Sequence, residues 1–226
     1  MKQVAKDKKA IVLLSGGLDS ATTLYLAKAE GYRITCLIFD YGQRHKREIN
    51  SALKLARCAG CDFNIIKLGL PKGSSSLLDR KIKIPRSAFG GIPSTYVPAR
   101  NLIFLSIATS FAESIKADNI FIGANAIDFS GYPDCRPKFY RILNQLIKTG
   151  TKAGVEGRPI KILTPLIKKS KKEIIRLGRK LNVPYELTWS CYKGGKRPCG
   201  VCESCFLRKK GFNEAGLKDS LTNSGK

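Results

Sequence analysis

The stretch AIVLLSGGLDS, residues 10–20, decides the fold of this chain. Residues 10–14 have the length and composition of a buried strand, and a helical pattern begins at Ser20. Backbone N–H groups at a helix N-terminus carry partial positive charge, so a turn at this position can hold a phosphate. Gly16 and Gly17 let the backbone approach the anion because they lack a Cβ atom. The alternative is a plain helix N-cap after a glycine turn, but two glycines flanked by serines favour a phosphate site.

Polar side chains flank the two glycines. Ser15 and Ser20 add hydroxyl donors, and Asp19 is placed to help hold Mg²⁺. No lysine follows the glycines, so this is not the GxxxxGK[ST] loop of kinase-like NTPases. The turn resembles the pyrophosphate loop of the ATP pyrophosphatase superfamily, whose members react at the α-phosphate of ATP and release pyrophosphate. The resemblance implies ATP contacts along the turn and the start of its helix, at Leu14, Ser15, Gly16, Gly17, Leu18, Asp19, Ser20, Ala21, Thr22, Thr23 and Leu24.

Length and composition bound the class of protein. A chain of 226 residues, 43% apolar and 26% charged, is ordinary for one large globular domain with a small appendage. No apolar run reaches the roughly 18 residues that cross a bilayer, so we expect no membrane segment. Residues 1–9 are charged and lead directly into a strand, and no secretion signal is visible. Eight cysteines then indicate metal binding or free thiols in a reducing compartment, so we expect a cytoplasmic protein.

The chain is strongly basic, with 41 Lys and Arg against 17 Asp and Glu and a formal net charge of +24. Such a charge raises the affinity of a surface for nucleic acids and other polyanions. The positive residues are spread along the sequence, however, and lack the interleaved aromatics of a single-strand binding groove. We therefore expect small-molecule substrates rather than a nucleic acid.

Strand-like and helix-like segments alternate, which is the pattern of a parallel α/β sheet. The predicted strands are 10–14, 33–39, 63–68, 119–123 and 161–163. The predicted helices are 20–30, 46–59, 102–115, 137–149 and 171–181. We expect a five-stranded, doubly wound parallel sheet, and the resemblance of the turn to the pyrophosphate loop implies the adenine-nucleotide alpha-hydrolase type. Ligands of such sheets bind beyond the carboxyl ends of the strands, so the loops after Leu14, Phe39 and Gly123 should share one rim.

Two regions depart from this alternation. Residues 69–94 contain several Gly, Pro and Ser and no clear period, which predicts a long loop that acts as a lid or an interface. From residue 186 the sequence is Cys-rich and interrupted by Gly and Pro. We therefore divide the chain into an ATP pyrophosphatase-type α/β domain, 1–185, and a Cys-rich zinc-binding C-terminal region, 186–226.

Four cysteines in the C-terminal region have metal-ligand spacing: Cys191, Cys199, Cys202 and Cys205. Two successive C-x₂-C steps place thiolates around one tetrahedral ion, and four thiolates make a closed structural zinc site. We expect one structural Zn²⁺ per chain on these residues. A [4Fe–4S] cluster is the main alternative, since ferredoxins also use C-x₂-C-x₂-C, and free thiols are the other.

The remaining cysteines and the single histidine carry weaker signals. Cys58 and Cys61 form another C-x₂-C pair near a predicted helix end, where a redox or sulfur-transfer pair and plain small residues are both possible, the latter being favoured. Cys36 lies in a predicted strand and belongs to the core. His45 precedes the second helix and is a candidate base, although a packing role is commoner for a lone histidine.

Five further stretches make the resemblance more specific. They are FDYGQRH (39–45), YVPARN (96–101), NAIDFSGYPDCRP (125–137), TPL (164–166) and TWSCY (188–192). Together with the turn and the terminal cysteines, they resemble the 7-cyano-7-deazaguanine synthase family of queuosine biosynthesis. The resemblance runs in order from about residue 11 to residue 212, and SGYPDCRP is its most discriminating segment.

The resemblance implies a carbon–nitrogen ligase. The implied reaction converts 7-carboxy-7-deazaguanine and ammonia to 7-cyano-7-deazaguanine with ATP and Mg²⁺, through adenylate and amide intermediates. It also implies a homodimer. The alternative is a tRNA-modifying ATP pyrophosphatase of the thiouridine or lysidine type, which the positive charge would suit. For sulfur transfer such an enzyme needs paired thiols on the rim, and Cys58 and Cys61 lie on the wrong element for this.

The family motifs supply the expected site residues. Asp19, Asp128 and Arg136 are expected to be catalytic, and the expected substrate contacts are Asp128, Tyr132, Asp134 and Arg136. Carboxylates after the fourth strand can accept from the amino and ring N–H groups of a guanine-like edge. Their alternative role is loop capping with an ion pair. Arg100 and Asn101 are expected at the ATP phosphates, with an N-cap role as the alternative for Asn101.

Overall fold

Five parallel strands form one sheet in a computed structural model that describes residues 8–85, 91–125 and 131–223. The strands are β1 Lys9–Leu13, β2 Arg33–Asp40, β3 Asp62–Lys67, β4 Asn119–Ile122 and β5 Lys161–Leu163. Their order across the sheet is β3–β2–β1–β4–β5, and every neighbouring pair is parallel.

Helices connect the strands and cover both faces of the sheet. They are α1 Leu18–Ala29, α2 Arg47–Cys58, α3 Arg100–Ile115, α4 Pro137–Gly150, α5 Lys152–Val155, α6 Lys171–Lys180, α7 Glu203–Ala215 and α8 Ser220–Asn223. The five predicted strands and five predicted helices are confirmed, each to within two residues at either end. The doubly wound parallel sheet is therefore confirmed. None of the helices that the structure describes has the length and apolar content of a membrane span.

The sheet has one apolar core on each face, because successive side chains of a strand point to opposite sides. In β1, Ala10 and Val12 face the core that contains α1, α2 and α6, whereas Ile11 and Leu13 face the core that contains α3 and α4. All four side chains are buried. A strand covered by helices on both faces must be apolar throughout, which explains why its sequence does not alternate.

The chain changes direction across the sheet at β1. It winds outward from β1 through β2 to β3, and it then returns to the other side of β1 at β4. The loops after β1 and β4 therefore part from each other, and doubly wound folds bind ligands in the crevice that this opens. Gly123, just after β4, lies so close to the first turn of α1 that an added Cβ would be 2.9 Å from the Asp19 carbonyl carbon.

The long loop predicted at 69–94 contains no helix or strand in the part that the structure describes. It is nevertheless packed against the domain. Leu78 is buried in the core beneath α3. Arg44 Nη2 donates to the carbonyls of Asp79 and Ile82, each at 3.0 Å. The lid or interface role of this segment stays a prediction.

The sequence pattern did not predict α7. This helix packs against α6, and its Phe212 and Ala215 lie in the core that also contains α1 and α2. The contact is close, since a Cβ added at Gly211 would overlap the side chain of Lys171. The C-terminal region thus shares the core of the α/β domain, and a domain boundary at residue 186 stays a prediction.

Arg208 on α7 ties the end of the chain to the segment before the cysteine cluster. Its Nε and Nη2 donate to the Asp219 carboxylate at 2.6 and 2.8 Å. Its Nη1 donates to Thr188 Oγ1 at 2.7 Å, and its Nη2 also donates to the Tyr185 carbonyl at 3.1 Å. A buried guanidinium is tolerated only when its donors are matched, so this network holds the segment around residue 188 firmly on α7.

The contact between Gly178 on α6 and the Tyr185 ring gives a test of this packing. A Cβ added at Gly178 would overlap the Tyr185 hydroxyl, which is held by a 2.9 Å hydrogen bond to Thr22 Oγ1. We expect Gly178→Ala to lower the free energy of unfolding by about 1–3 kcal/mol. Intrinsic helix propensity alone would favour alanine by about 1 kcal/mol. The control is Gly150→Ala on α4, where a Cβ meets no atom within 4 Å. Urea unfolding should show a loss only for Gly178→Ala, and equal midpoints would contradict the packing.

Candidate active site

A cavity of about 280 Å³ opens at the carboxyl ends of β1, β2 and β4. Ser15 brings the turn after β1 to its wall, Phe39 and Tyr41 bring the loop after β2, and Gly123 brings the loop after β4. These are the three loops that the sequence placed on one rim. The cavity lies at the point where the chain reverses its direction across the sheet.

The phosphate turn, residues 15–20, is held by its own side chains. Ser15 Oγ donates to Ser20 Oγ at 3.0 Å, and Ser20 Oγ donates to the Gly17 carbonyl at 3.0 Å. Gly16 has a φ of +84°, and a Cβ at this position would overlap the Glu48 carbonyl of α2. Only glycine fits there, because the left-handed backbone and the contact with α2 both exclude a side chain.

Asp19 and Lys171 form an ion pair on the cavity wall. Lys171 Nζ lies 2.9 and 2.8 Å from the two Asp19 carboxylate oxygens. The Lys171 side chain is only 10% exposed and the Asp19 side chain 18%. No motif in the sequence marks Lys171, and 152 positions separate it from Asp19, so its role was not predicted. The pair places a cation and a carboxylate beside the phosphate turn.

The residues predicted to bind ATP divide into two groups. Leu14, Ser15, Gly17, Leu18, Asp19 and Ser20 line the cavity. Gly16 is buried against α2 and does not line it, and neither do Ala21, Thr22, Thr23 and Leu24, which are fully buried in the first turns of α1. The hydroxyls of Thr22 and Thr23 donate to the carbonyls of Leu18 and Asp19 one turn earlier. These two threonines therefore form hydrogen bonds within α1 rather than face the cavity.

Arg100 and Asn101 both line the cavity at the start of α3. Arg100 Nη1 donates to the Tyr41 hydroxyl at 3.2 Å. The Asn101 backbone N–H donates to the Asp134 carboxylate at 3.2 Å, and its side chain donates to the Asp134 carbonyl at 3.4 Å. The N-cap residue of α3 is Ala99, so the N-cap alternative for Asn101 is wrong. Asp134 instead satisfies a free N–H of the first turn.

The four expected substrate residues lie in different places. Asp128 lies outside the described residues. Tyr132 lines the cavity. Asp134 is buried beneath α3, and this burial raises the pKa of its carboxyl. Arg136 is exposed at the start of α4 and does not line the cavity. The structure thus brings Tyr132 to the phosphate turn but not Asp134 or Arg136, whose substrate contacts stay predictions.

Two more titratable side chains line the cavity near the start of α2. Burial raises the pKa of Glu48 to about 7, against the opposing effect of Arg100. Burial lowers the pKa of His45. No sequence motif marks Glu48 as a site residue, because a glutamate in the first turn of a helix is ordinarily solvated and interacts favourably with the helix dipole.

The thiols are placed unfavourably for sulfur chemistry. Among the described residues, Cys135 is the thiol on the cavity wall, and burial raises its pKa to about 12, so it stays protonated. Cys58 and Cys61 lie at the end of α2 and just before β3, at the opposite end of the strands. A hydrogen bond from Cys36 lowers the pKa of Cys61 to about 7. The described wall therefore carries no pair of thiols.

The four predicted metal ligands come together. The sulfurs of Cys191, Cys199, Cys202 and Cys205 all lie within 4.8 Å of one another. Cys199 Sγ and Cys205 Sγ are 4.0 Å apart, close to the roughly 3.8 Å that tetrahedral Zn–S bonds of about 2.3 Å require. The backbone N–H groups of Cys199 and Cys202 donate to the sulfurs of Cys191 and Cys199 at 3.3 and 3.4 Å, which stabilises thiolates. The donor set fits a four-coordinate metal.

The cysteine cluster is attached directly to the phosphate turn. Trp189 packs on its buried cysteines, and the Trp189 backbone N–H donates to the Gly16 carbonyl at 2.8 Å. The Arg47 guanidinium carbon of α2 lies 4.9 Å from the Trp189 ring centroid, and Arg47 Nε donates to the Gly194 carbonyl at 3.2 Å. The metal-binding segment therefore forms one wall of the cavity.

Comparison with known proteins identifies close relatives. Residues 9–216 match the family model described as "Queuosine biosynthesis protein QueC". A 7-cyano-7-deazaguanine synthase from Acetivibrio thermocellus is 52% identical over 216 residues, which cover 95% of this chain and 97% of that protein. One from Thermoplasma acidophilum is 52% identical over 218 residues, covering 95% and 91%.

A solved structure titled as a 4-thiouridine synthetase–RNA complex with bound ATP is similar in fold. Its TM-score is 0.52 and its sequence identity 19%, over 92% of this chain and 50% of that one. At this identity the likeness concerns the fold alone.

The cysteine cluster predicts a metal content near one equivalent per chain. We expect Cys202→Ser to lower it strongly, because a tetrahedral site that loses one thiolate holds its ion weakly. Elemental analysis of the purified protein measures the content. Fluorescence of Trp189, the single tryptophan, reports the accompanying loss of packing around the cysteines. Cys58→Ser, at an exposed cysteine outside the cluster, is the control. Loss of metal from Cys58→Ser with retention in Cys202→Ser would show that the ligands are wrongly assigned.

Proposed function

The chain belongs to the QueC family of queuosine biosynthesis proteins, and we propose that it catalyses formation of the nitrile base itself. It is then an ATP-dependent carbon–nitrogen ligase that converts 7-carboxy-7-deazaguanine and ammonia to 7-cyano-7-deazaguanine, through adenylate and amide intermediates. Relatives that bear the corresponding enzyme name support this over nearly the whole chain. The structural observation that carries it is the cavity that the phosphate turn lines together with Tyr132 and Trp189, two residues from separate family motifs.

The chemistry needs activation of two poor leaving groups. A carboxylate oxygen leaves badly, and transfer of AMP from ATP converts the carboxylate into a mixed anhydride from which AMP leaves well. The same activation of the amide oxygen permits its elimination to the nitrile. Preorganised N–H donors at a helix N-terminus stabilise the charge that develops on the departing pyrophosphate, and the phosphate turn is such a group of donors. Positioning of the two reactants supplies much of the remaining rate.

The ion pair of Lys171 and Asp19 fits this role. A triphosphate in the turn would compete with Asp19 for the Lys171 ammonium, since both face the cavity. Release of Asp19 from Lys171 would leave its carboxylate for Mg²⁺, as proposed from the sequence. When bound, Mg²⁺ neutralises charge on the phosphate oxygens.

The substrate base would lie against the aromatic part of the wall, formed by Tyr132, Tyr192 and Trp189. Arg100 and Asn101, at the start of α3, are proposed phosphate contacts because they line the same cavity. Asp128, Asp134 and Arg136 remain the proposed contacts of the guanine-like edge.

We propose zinc rather than an iron–sulfur cluster at the four cysteines. Four protein ligands leave no open coordination position, so the ion is structural. It stabilises a segment whose own apolar core consists of little more than Trp189 and the cysteines. An iron–sulfur cluster would instead give the purified protein a broad visible absorption band.

We propose that the protein is a homodimer, and a surface on α4 supports this. Ile142 and Leu146 lie one turn apart on that helix and are 51% and 60% exposed. Large apolar side chains that are adjacent and exposed often mark an interface between copies of a chain. A nucleic-acid partner is not part of the proposal, and the cytoplasmic location stays a prediction.

The proposed activity predicts turnover of 7-carboxy-7-deazaguanine only when ATP, Mg²⁺ and ammonium are all present. Mass spectrometry should detect the amide first and the nitrile later. If unmodified tRNA rather than the free base stimulates ATP cleavage, the tRNA-modifying alternative is correct instead.

Substitutions at the ion pair belong to the same experiment. Asp19→Ala and Lys171→Met should each remove turnover, while the far-ultraviolet circular dichroism stays unchanged. The control is Lys172→Met, which removes the adjacent positive charge on α6 without touching the pair. Full activity of Asp19→Ala would show that the phosphate site is wrongly placed.

The dimer surface has its own test. Leu146→Glu should convert a dimer to monomers in size-exclusion chromatography with light scattering, because it places a charge in an apolar contact. Lys148→Glu, an exposed position on a neighbouring face of α4, should leave the dimer intact. A monomeric unsubstituted protein, or a dimeric Leu146→Glu variant, would contradict the proposed interface.

A further inference from the structure

Formation of a nitrile from ammonium is a problem of proton removal. The ammonium ion that predominates at neutral pH carries four protons on its nitrogen, and the nitrile nitrogen carries none. Two protons must leave as the amide forms, and two more must leave as the amide becomes the nitrile. A general base acts only within hydrogen-bond reach of the proton that it takes. The reaction proposed above therefore requires a proton acceptor inside the cavity.

Three side chains on the described part of the wall carry a carboxylate or an imidazole: Asp19, His45 and Glu48. Both Asp19 oxygens accept from Lys171, and Mg²⁺ is their proposed partner after release, so this carboxylate is already engaged. Burial lowers the pKa of His45, which makes its imidazole a weaker base than a free histidine. Glu48 is the remaining candidate.

Glu48 stands in the first turn of α2, directly beside the phosphate turn. Its backbone carbonyl fills the space that a Cβ at Gly16 would need. Glu48 also lines the cavity, together with the turn at which an adenylate would be bound. Because α2 packs against the turn through backbone atoms, the relative position of the two is well defined.

The groups that surround Glu48 come from three elements. Arg100 acts on its charge from α3, Tyr41 from the loop after β2, and Cys191 and Tyr192 from the metal-binding segment. Arg100 is the cation of this set, and its Nη1 donates to the Tyr41 hydroxyl at 3.2 Å. Glu48 is therefore half-buried on a partly aromatic wall, where its charge is only partly balanced.

This environment makes the carboxylate a stronger base. Burial raises the pKa of Glu48 to about 7, with Arg100 opposing and Cys191 adding to the rise. An ordinary glutamate, with a pKa of about 4.3, binds a proton much more weakly. A carboxyl whose pKa lies near the working pH both takes up and releases protons readily, as repeated proton transfer requires.

We propose that Glu48 is the catalytic base that removes protons from the substrate nitrogen during both halves of the reaction. The proposal rests on the function proposed above and assigns a role that the phosphate turn does not supply.

In the first half, the Glu48 carboxylate takes one proton from NH₄⁺ and leaves NH₃. The nitrogen lone pair attacks the adenylate carbonyl carbon, and the C–O bond to the phosphate breaks with its electron pair on AMP. A second proton leaves the nitrogen, after Glu48 has released the first to solvent, and the neutral amide remains. In the second half, ATP adenylates the amide oxygen and releases pyrophosphate. The two N–H protons then leave in turn for Glu48 as AMP departs, and the C≡N bond is complete.

Glu48→Gln tests the proposal with two nucleophiles, because it keeps the size of the side chain and removes the base. Ammonium-dependent amide formation at neutral pH should fall by about 10²- to 10⁴-fold. Hydroxylamine is largely unprotonated at neutral pH and needs no base before it attacks. Hydroxamate formation from the adenylate should therefore remain close to that of the unsubstituted enzyme. Glu48→Asp should recover part of the ammonium-dependent rate.

The pH profile provides a second readout. In the unsubstituted enzyme the ammonium-dependent rate should fall as the pH drops through about 7, since Glu48 is then protonated. In Glu48→Gln the deficit should shrink as the pH rises and free ammonia accumulates. Glu113→Gln is the control: this carboxylate on α3 lies off the cavity and accepts from the Ala153 N–H at 2.8 Å, so its substitution should change neither nucleophile's rate.

Two results would overturn the assignment. Equal loss of amide and hydroxamate formation in Glu48→Gln would mean that Glu48 serves binding or folding, and equal retention would mean that the base is another group. Failure of the proposed function gives a different result: the unsubstituted enzyme would then form neither product from the carboxy base, and both proposals would fall together.

Discussion

The backbone hydrogen bond from Trp189 N–H to the Gly16 carbonyl, 2.8 Å long, joins the two parts from which the site is built. On one side is the phosphate turn, whose left-handed Gly16 lies against the backbone of α2. On the other side is the segment that the four cysteines organise. The turn is thus defined by β1 before it, by α2 beside it and by the metal-binding segment in front of it. A phosphate site needs such support, because its N–H donors stabilise charge only when they are already oriented.

This arrangement gives the cysteine cluster a role in shaping the site. The cluster holds Trp189, and Arg47 of α2 packs over the indole ring while donating to Gly194. The buried Arg208 of α7 reaches the same segment through Thr188. The metal-binding segment is therefore anchored on both sides, by α2 and by α7. Its stability and the shape of the cavity depend on each other, which couples metal binding to the position of the phosphate turn.

Two carboxylates on the cavity wall are set to different roles by their surroundings. Asp19 is paired with the Lys171 ammonium through both of its oxygens, so it suits electrostatic work. Glu48 lies among aromatic side chains with a partly engaged Arg100, and burial raises its pKa to about 7. Pairs of acids whose environments differ in this way commonly divide electrostatic and proton-transfer tasks between them.

The sequence by itself determined the sheet, its connecting helices, the phosphate turn and the four cysteines, because each of these depends on residues close together in the chain. The apolar run of β1 is continuous since both of its faces are covered, and the C-x₂-C spacing is enough to place ligands. Helix α7 escaped detection because its buried face consists of residues such as Cys205, Arg208 and Gly211 rather than an apolar stripe. Only the tertiary structure decided that Lys171 pairs with Asp19 across 152 positions and that the Asp134 carboxylate accepts from the Asn101 N–H at the start of α3. It also decided that the surroundings of Glu48 raise its pKa. The physical reason is that charge pairing and desolvation depend on distance in space, to which the separation of residues along the chain is no guide.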